Sequence, residues 1–318
     1  MKNMKNLLVF ILVSALVLSL MGCAKEEVVD TSMDIASETP EAPEEAVVET
    51  KVVEEGVLAY FANMPENGYK IKEAEFVEKV KAGDEMVILD IRTAEDYAKG
   101  HVAGAINVPW GTEISSNITK IPQDKEVFIY CYTGQTAGQA VMTLNLAGIN
   151  ARSVEFGWNL GISKVEGFEA VTDVNEFGSD VYEVDPEIEA ALNDYYGGLA
   201  AVQETKYKFY KISEDDLKAM MESDEDFYIL SVRQAADFEK GHIEGASNIP
   251  FIAGMEQQFS TLPMDKKIVV YCYTGQTSGQ VVAGLRLLGY DAVSLNAGMG
   301  KEKNAPAGWA NKGYEVVQ

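Results

Sequence analysis

The chain has 318 residues, with 26 Lys and Arg against 50 Asp and Glu and a formal net charge of −24. That balance excludes nucleic acid as a partner, because such binding is driven by Lys and Arg neutralising phosphates. The acidity serves solubility, and the length without a leader suits two domains.

The first 22 residues read as a secretory signal. Lys2 and Lys5 precede an uncharged run over 7–20, which is shorter than the roughly 20 residues a membrane span needs. Cys23 directly follows Gly22, and this junction resembles the lipobox of bacterial lipoproteins, in which the thiol is lipidated and becomes the new N-terminus. The expected location is therefore extracytoplasmic, anchored to the bacterial cell membrane through a lipid on Cys23. Residues 23–53 are rich in Glu and Asp, carry Pro40 and Pro43, and lack aromatic side chains. Such a segment buries too little apolar surface to fold and is expected to be a disordered tether.

The remainder is an internal repeat. Tyr130-Cys131-Tyr132-Thr133-Gly134-Gln135-Thr136 recurs as Tyr271-Cys272-Tyr273-Thr274-Gly275-Gln276-Thr277, 141 residues later. The same shift relates Arg92 to Arg233, His101 to His242 and Gly157 to Gly298. The expected domains are 54–170 and 194–318, joined by a linker over 171–193 that contains a helix from Pro186 to about Leu192. A short leader helix is expected at the start of each domain, near Glu54 and near Asp194.

In chain order, 73–81 places Phe76, Val77 and Val80 on one helical face, and 214–222 does the same with Leu217, Met220 and Met221. Short apolar runs at 87–91 and 227–232 read as buried strands, as do 127–130 and 268–271, which end directly on the cysteines. Helices are expected over 135–147 and 276–288, stopped by Gly148 and Gly289, and further strands over 151–156 and 292–295. Alternating strands and helices at this spacing predict an α/β fold: two domains, each a mostly parallel sheet with helices on both faces. Ligands of such sheets bind beyond the carboxyl ends of the strands, where both cysteines stand.

The two repeat cysteines are read as independent free thiols. A disulfide between them would require equivalent loops of two similar domains to meet face to face. Within each loop Gly134 or Gly275 permits a tight curl that turns successive N–H groups inward. Those donors and the positive end of the following helix favour a thiolate, the nucleophilic form. Hydroxyls of Thr133 and Thr136 are further donors.

Four ordered motifs occur in both copies. The first copy has Asp90-Ile91-Arg92, Asp96-Tyr97, Gly100-His101-Val102-Ala103-Gly104-Ala105 and the Cys131 loop; the second has Ser231-Val232-Arg233, Asp237-Phe238, Gly241-His242-Ile243-Glu244-Gly245-Ala246 and the Cys272 loop. In this the chain resembles a tandem rhodanese-domain sulfurtransferase. The resemblance implies two rhodanese-like domains with Cys131 and Cys272 as catalytic nucleophiles. It also implies binding loops formed by Tyr132, Thr133, Gly134, Gln135 and Thr136, and by Tyr273, Thr274, Gly275, Gln276 and Thr277. Sulfane sulfur would pass from thiosulfate or a persulfide-type donor through a cysteine persulfide to a thiol or cyanide acceptor, with no metal or other cofactor. The alternative is a module that binds persulfide or a partner at the cell surface without turnover. No feature specifies an oligomeric state.

The related phosphatase branch has a longer loop ending in arginine, which a phosphoryl dianion needs. Here the sixth residue after the cysteine is Ala137 or Ser278, and neither loop contains Lys or Arg. The neutral loops also predict weak thiosulfate binding or a less charged donor. His101 and His242 are expected to be structural. Arg92 and Arg233 are expected to pair with nearby acids, such as Glu95 or Asp96 for the first and Asp237 for the second, and not to bind substrate. Trp158, opposite Met299, is expected to shape one pocket differently from the other.

Overall fold

The computed structural model describes the backbone from Glu45 and side chains from Lys51 through Gln318. The signal segment 1–22, Cys23 and the first part of the acidic segment lie outside the described residues. Among the described residues no helix is long and apolar enough to cross a membrane.

The first domain runs α1 (Glu45–Ala62), β1 (Lys70–Ile71), α2 (Glu73–Ala82), β2 (Val87–Asp90), α3 (Ala94–Lys99), β3 (Ala105–Asn107), α4 (Thr112–Ser116), β4 (Val127–Tyr130), α5 (Gln135–Leu146) and β5 (Ala151–Val154). The second runs α6 (Pro186–Gly197), α7 (Leu199–Val202), β6 (Lys211–Ile212), α8 (Glu214–Met221), β7 (Phe227–Ser231), α9 (Ala235–Lys240), β8 (Ala246–Asn248), β9 (Lys267–Tyr271), α10 (Gln276–Leu287) and β10 (Ala292–Leu295). Each domain is an α/β unit with a five-stranded sheet, ordered β1-β5-β4-β2-β3 and β6-β10-β9-β7-β8. Every pairing is parallel, with Val127 opposite Val87 and Ala151 in the first sheet and Ile268 opposite Tyr228 and Ala292 in the second.

All four residues of β4 are buried, as a central strand covered on both faces requires. The predicted glycine stops hold: Gly148 and Gly289 take φ of 81° and 88° just beyond α5 and α10.

The acidic segment is shorter than its composition suggests, because α1 takes in residues 45–53. Val53, Val57, Tyr60 and Phe61 form its buried face, and the Phe61 ring meets Phe259 of the second domain edge-on at 5.2 Å. Apolar positions at helical spacing outweigh the surrounding glutamates once that face has a core to enter. The linker expected over 171–193 is also partly built in. Val171 bridges His101, Tyr182 N–H donates to Thr119 O at 2.7 Å, and α6 continues past Leu192 to Gly197. Buried Tyr195 and Tyr196 explain the longer helix.

Helices α5 and α10 pack against each other at the centre of the molecule, each carrying its own sheet behind it. They approach so closely that a Cβ on Gly138 would lie 2.1 Å from Gln276 O, and one on Gly279 would lie 2.6 Å from Gln135 O. One continuous apolar core therefore includes both helices, α1 and both cysteines, and a separate smaller core lies on the outer face of each sheet.

Candidate active site

Strands β4 and β9 end immediately before Cys131 and Cys272, and α5 and α10 begin four residues after the cysteines. Both thiols are free and buried. Between strand and helix the chain curls through Gly134 and Gly275, with φ of 88° and 87°. The curl turns Gly134 N–H onto Cys131 Sγ at 3.2 Å and Ala137 N–H onto it at 3.4 Å. In the second loop Gly275 N–H reaches Cys272 Sγ at 3.1 Å, and the Ser278 hydroxyl lies at 3.5 Å. Burial raises the Cys272 thiol pKa, but the hydroxyls of Ser278 and Thr277 and the amides of Ser278 and Thr274 outweigh it and hold the pKa below the ordinary value. Ser278 is the donor that reading the sequence missed; its counterpart Ala137 offers only an amide.

The floor of each loop depends on a glycine that follows the next strand. Trp158 N–H donates to Cys131 O and Met299 N–H to Cys272 O, both at 2.8 Å. A Cβ on Gly157 or Gly298 would fall 2.4 Å from the same carbonyl oxygens. Opposite, the loop tyrosines act as anchors: Tyr132 donates to Asp96 and Tyr273 to Asp237, each at 2.5 Å. The Tyr132 hydroxyl, with Lys99 and Thr93, holds the Asp96 carboxyl pKa down at about 2.

A cavity of about 140 Å³ opens over Cys131, lined by Tyr132, Thr133 and Thr136 of the loop and by Trp110, Phe209 and Lys211. A larger one of about 430 Å³ opens over Cys272, lined by Tyr273, Thr274, Gln276 and Thr277 together with Lys70, Glu155 and Lys301. Gln135 turns away from the first cavity, its Nε2 donating to Thr133 Oγ1 at 3.1 Å and its Oε1 accepting from Ala297 N–H of the second domain at 3.2 Å. Gln276 reaches into the first domain in return, donating to Ser153 Oγ at 2.7 Å. The two loops therefore do meet across the domain interface, yet they meet through glutamines and helix ends while the thiols remain free.

Neither loop contains a cation, but each cavity has one from the opposite domain: Lys211 of β6 over Cys131, and Lys70 of β1 over Cys272. They are equivalent under the 141-residue shift, the only signal of them in the sequence.

The remaining motif residues hold the frame. Arg92 pairs with Asp90 instead of Glu95 or Asp96, with Nε 3.0 Å from both carboxylate oxygens, and donates to Gly100 O at 2.8 Å. Two residues apart on an extended segment, Asp90 and Arg92 project to the same side, which Glu95 on the next helix does not. In the second copy Ser231 supplies no carboxylate, so Arg233 donates to Gly241 O and its buried Nε has no partner among the described residues. Trp158 lies over the Arg92 guanidinium at 4.0 Å and does not line the Cys131 cavity. His101 is fully buried, stacked on Tyr97 at 3.6 Å with Nδ1 2.9 Å from Tyr97 O, and His242 stacks on Phe238 at 4.0 Å. Both histidines brace the turn before the next strand.

The rhodanese-like domain family matches residues 73–163 and 213–304, more than half of the chain. The Bacillus subtilis protein YrkF is 30% identical over 73 residues, covering 23% of this chain and 39% of that protein, so the chain spans less than half of its length. A sulfurtransferase of Allochromatium vinosum is 28% identical over 108 residues, 34% of this chain and 94% of that protein. A crystal structure of a rhodanese-related protein from Thermoplasma volcanium is 29% identical, with 34% of this chain and 96% of that chain covered and a TM-score of 0.29. With the family matched twice, on the two sheets that carry the cysteine loops, the chain belongs to the rhodanese-like domain family as a tandem of two such domains.

Proposed function

We propose that both cysteines turn over, moving sulfane sulfur through a cysteine persulfide. The observation that carries this reading is the aim of the loop amides onto the thiol: Gly134 and Ala137 N–H onto Cys131, and Gly275 N–H onto Cys272. Inward amides at a helix start favour a thiolate and then the terminal anionic sulfur of a persulfide. The thiolate attacks the outer sulfur of thiosulfate or a persulfide-type donor. A new S–S bond forms, the donor's S–S bond breaks, and sulfite or a thiolate leaves with the electron pair. Cyanide or a thiol acceptor then removes the outer sulfur as thiocyanate or a new persulfide and restores the cysteine thiolate, which is covalent catalysis in two half-reactions.

The test is to incubate the full chain with thiosulfate, measure the mass of each cysteine peptide, and add cyanide. Gain of one sulfur on the Cys131 and Cys272 peptides, discharged as thiocyanate and abolished by Cys131→Ser with Cys272→Ser, supports turnover. A stable adduct that cyanide does not discharge would instead mark a carrier, and no adduct would sink both readings.

We also propose that the protein works outside the cytoplasm on a lipid attached to Cys23. The support is the junction of a short apolar run, Gly22 and Cys23. Membrane fractionation of cells expressing the chain and its Cys23→Ser variant tests this: release of the variant from the membrane fraction is expected, and equal retention would contradict it.

A further inference from the structure

The two cysteine loops are nearly identical in sequence, but the cavities above them differ in charge and size, and the difference comes from the opposite domain. Lys211 is the single charged side chain lining the smaller cavity, over Cys131. Among the described residues no carboxylate lies within ion-pair distance of it. The larger cavity, over Cys272, has two cations and two carboxylates in its wall: Lys70, Lys301, Glu66 and Glu155. Lys70 is moreover tied to Glu155 at 3.0 Å.

The lysines are held in place by a device that occurs twice. Each follows a tyrosine with left-handed backbone, Tyr69 at φ 55° and Tyr210 at φ 52°, and Phe209 before the latter is at φ 60°. Such conformations are costly for residues that carry a side chain and persist where the surroundings impose them. The surroundings here are the opposite domain's active-site helix. Gln139 of α5 donates to Phe209 O at 3.0 Å, and Gln280 of α10 donates to Gly68 O at 3.1 Å. Each glutamine is oriented by a buried tyrosine hydroxyl, Tyr195 onto Gln139 at 2.7 Å and Tyr60 onto Gln280 at 2.6 Å. The helix that begins at one cysteine thus grips the segment that brings the other domain's lysine to it.

We propose that Lys211, supplied by the second domain, is the anion-binding residue of the first site. It makes Cys131 the site for a small doubly charged sulfane donor of the thiosulfate class, while the charge-balanced second site takes bulkier, less charged sulfane compounds. This rests on the sulfur-transfer reading above. An ammonium group in a cavity of about 140 Å³ with otherwise uncharged walls compensates an entering dianion far better than it would in water. It also favours departure of sulfite, which leaves with the electron pair when the donor's S–S bond breaks. Burial draws the Lys211 pKa down, against the opposing pull of Cys131 and Glu214. A group desolvated in this way gains by accepting an anionic partner.

The experiment isolates each site in the full chain, Cys131 with Cys272→Ser and Cys272 with Cys131→Ser. Persulfide loading is followed with two probes, thiosulfate and 2-hydroxyethyl persulfide, and expressed as the ratio of their rate constants. The Cys131 site is expected to have the higher thiosulfate ratio. Lys211→Gln should lower that ratio about tenfold, mainly through the concentration of thiosulfate needed for half-maximal rate, and Lys211→Arg should restore most of it. An unchanged ratio in Lys211→Gln, or equal loss with both probes, would overturn the assignment and leave Lys211 a structural residue. Failure of the unsubstituted sites to load from either probe would instead overturn sulfur transfer itself.

Discussion

The Gln276 side chain crosses the domain interface to donate to the Ser153 hydroxyl at 2.7 Å, beside the carbonyl of Val154 at 3.3 Å. A residue of the second cysteine loop is therefore secured by the sheet of the first domain. Gln276→Leu would leave Ser153 without this donor in a buried setting, where a lost hydrogen bond costs about 1–3 kcal/mol. Denaturant unfolding should show a loss of that size. Faster loss of Cys272 loading than of Cys131 loading should accompany it, and an unchanged midpoint would contradict the interface role.

The first domain neutralises its buried arginine with Asp90 and the second does not. Asp90→Asn should destabilise by about 3–5 kcal/mol, because it leaves an uncompensated buried charge. Ser231→Asp should stabilise by about 1–3 kcal/mol, since it supplies Arg233 Nε with a charged acceptor. Chemical denaturation of both variants checks the pair of signs; stabilisation by Asp90→Asn would refute the account.

Ser278 gives the second site a pH signature. Free cysteine titrates at about 8.5, the thiolate is the reacting form, and Cys272 is held below the ordinary thiol value. Loading at Cys272 should therefore persist as pH falls below that of a free thiol and decline only as pH drops through the lowered pKa. Removing the hydroxyl with Ser278→Ala takes away a donor to the charged form, so the midpoint should move to higher pH. Loading at neutral pH should fall several-fold. A pH–rate profile of the Cys131→Ser protein with and without the second substitution measures this, and a shift to lower pH would have the wrong sign.

Glu155 decides how much of Lys70 is available to a donor at the second site. Glu155→Gln breaks the 3.0 Å pair and leaves the cavity over Cys272 with net positive charge. In the Cys131→Ser protein, thiosulfate loading should rise about threefold to tenfold, the scale of one partly screened charge contact. Added salt should reduce the gain, and a decrease at low salt would argue that Glu155 orients Lys70 productively.

Much of this was legible along the chain. The strands ending on Cys131 and Cys272, the helices after them and the glycine stops are local patterns, and the repeat doubles every one of them. Cys131 and Cys272 lie at the ends of β4 and β9, with the loop curl that the glycines suggested. Side-chain partners are less legible, because the direction in which a side chain projects decides them as much as distance along the chain. Arg92 does pair with a nearby acid, but that acid is Asp90, two residues earlier, and not one on the next helix. Trp158 covers the Arg92 guanidinium and lines, with Tyr132, a cavity that does not include Cys131.

The amino-acid order specifies the two α/β units and their nucleophiles, because buried strands, helix faces and tight turns are short-range features that each segment carries within itself. The electrostatic identity of the two sites is not of that kind. Lys70 and Lys211 lie on two-residue strands with no periodicity of their own. Their effect depends on which cysteine they face, and that follows from the packing of α5 on α10, where Gly138 and Gly279 permit close approach and Gln139 and Gln280 grip the opposite domain. Charge acts through space, so two loops of the same sequence become different sites only once the domains are folded against each other.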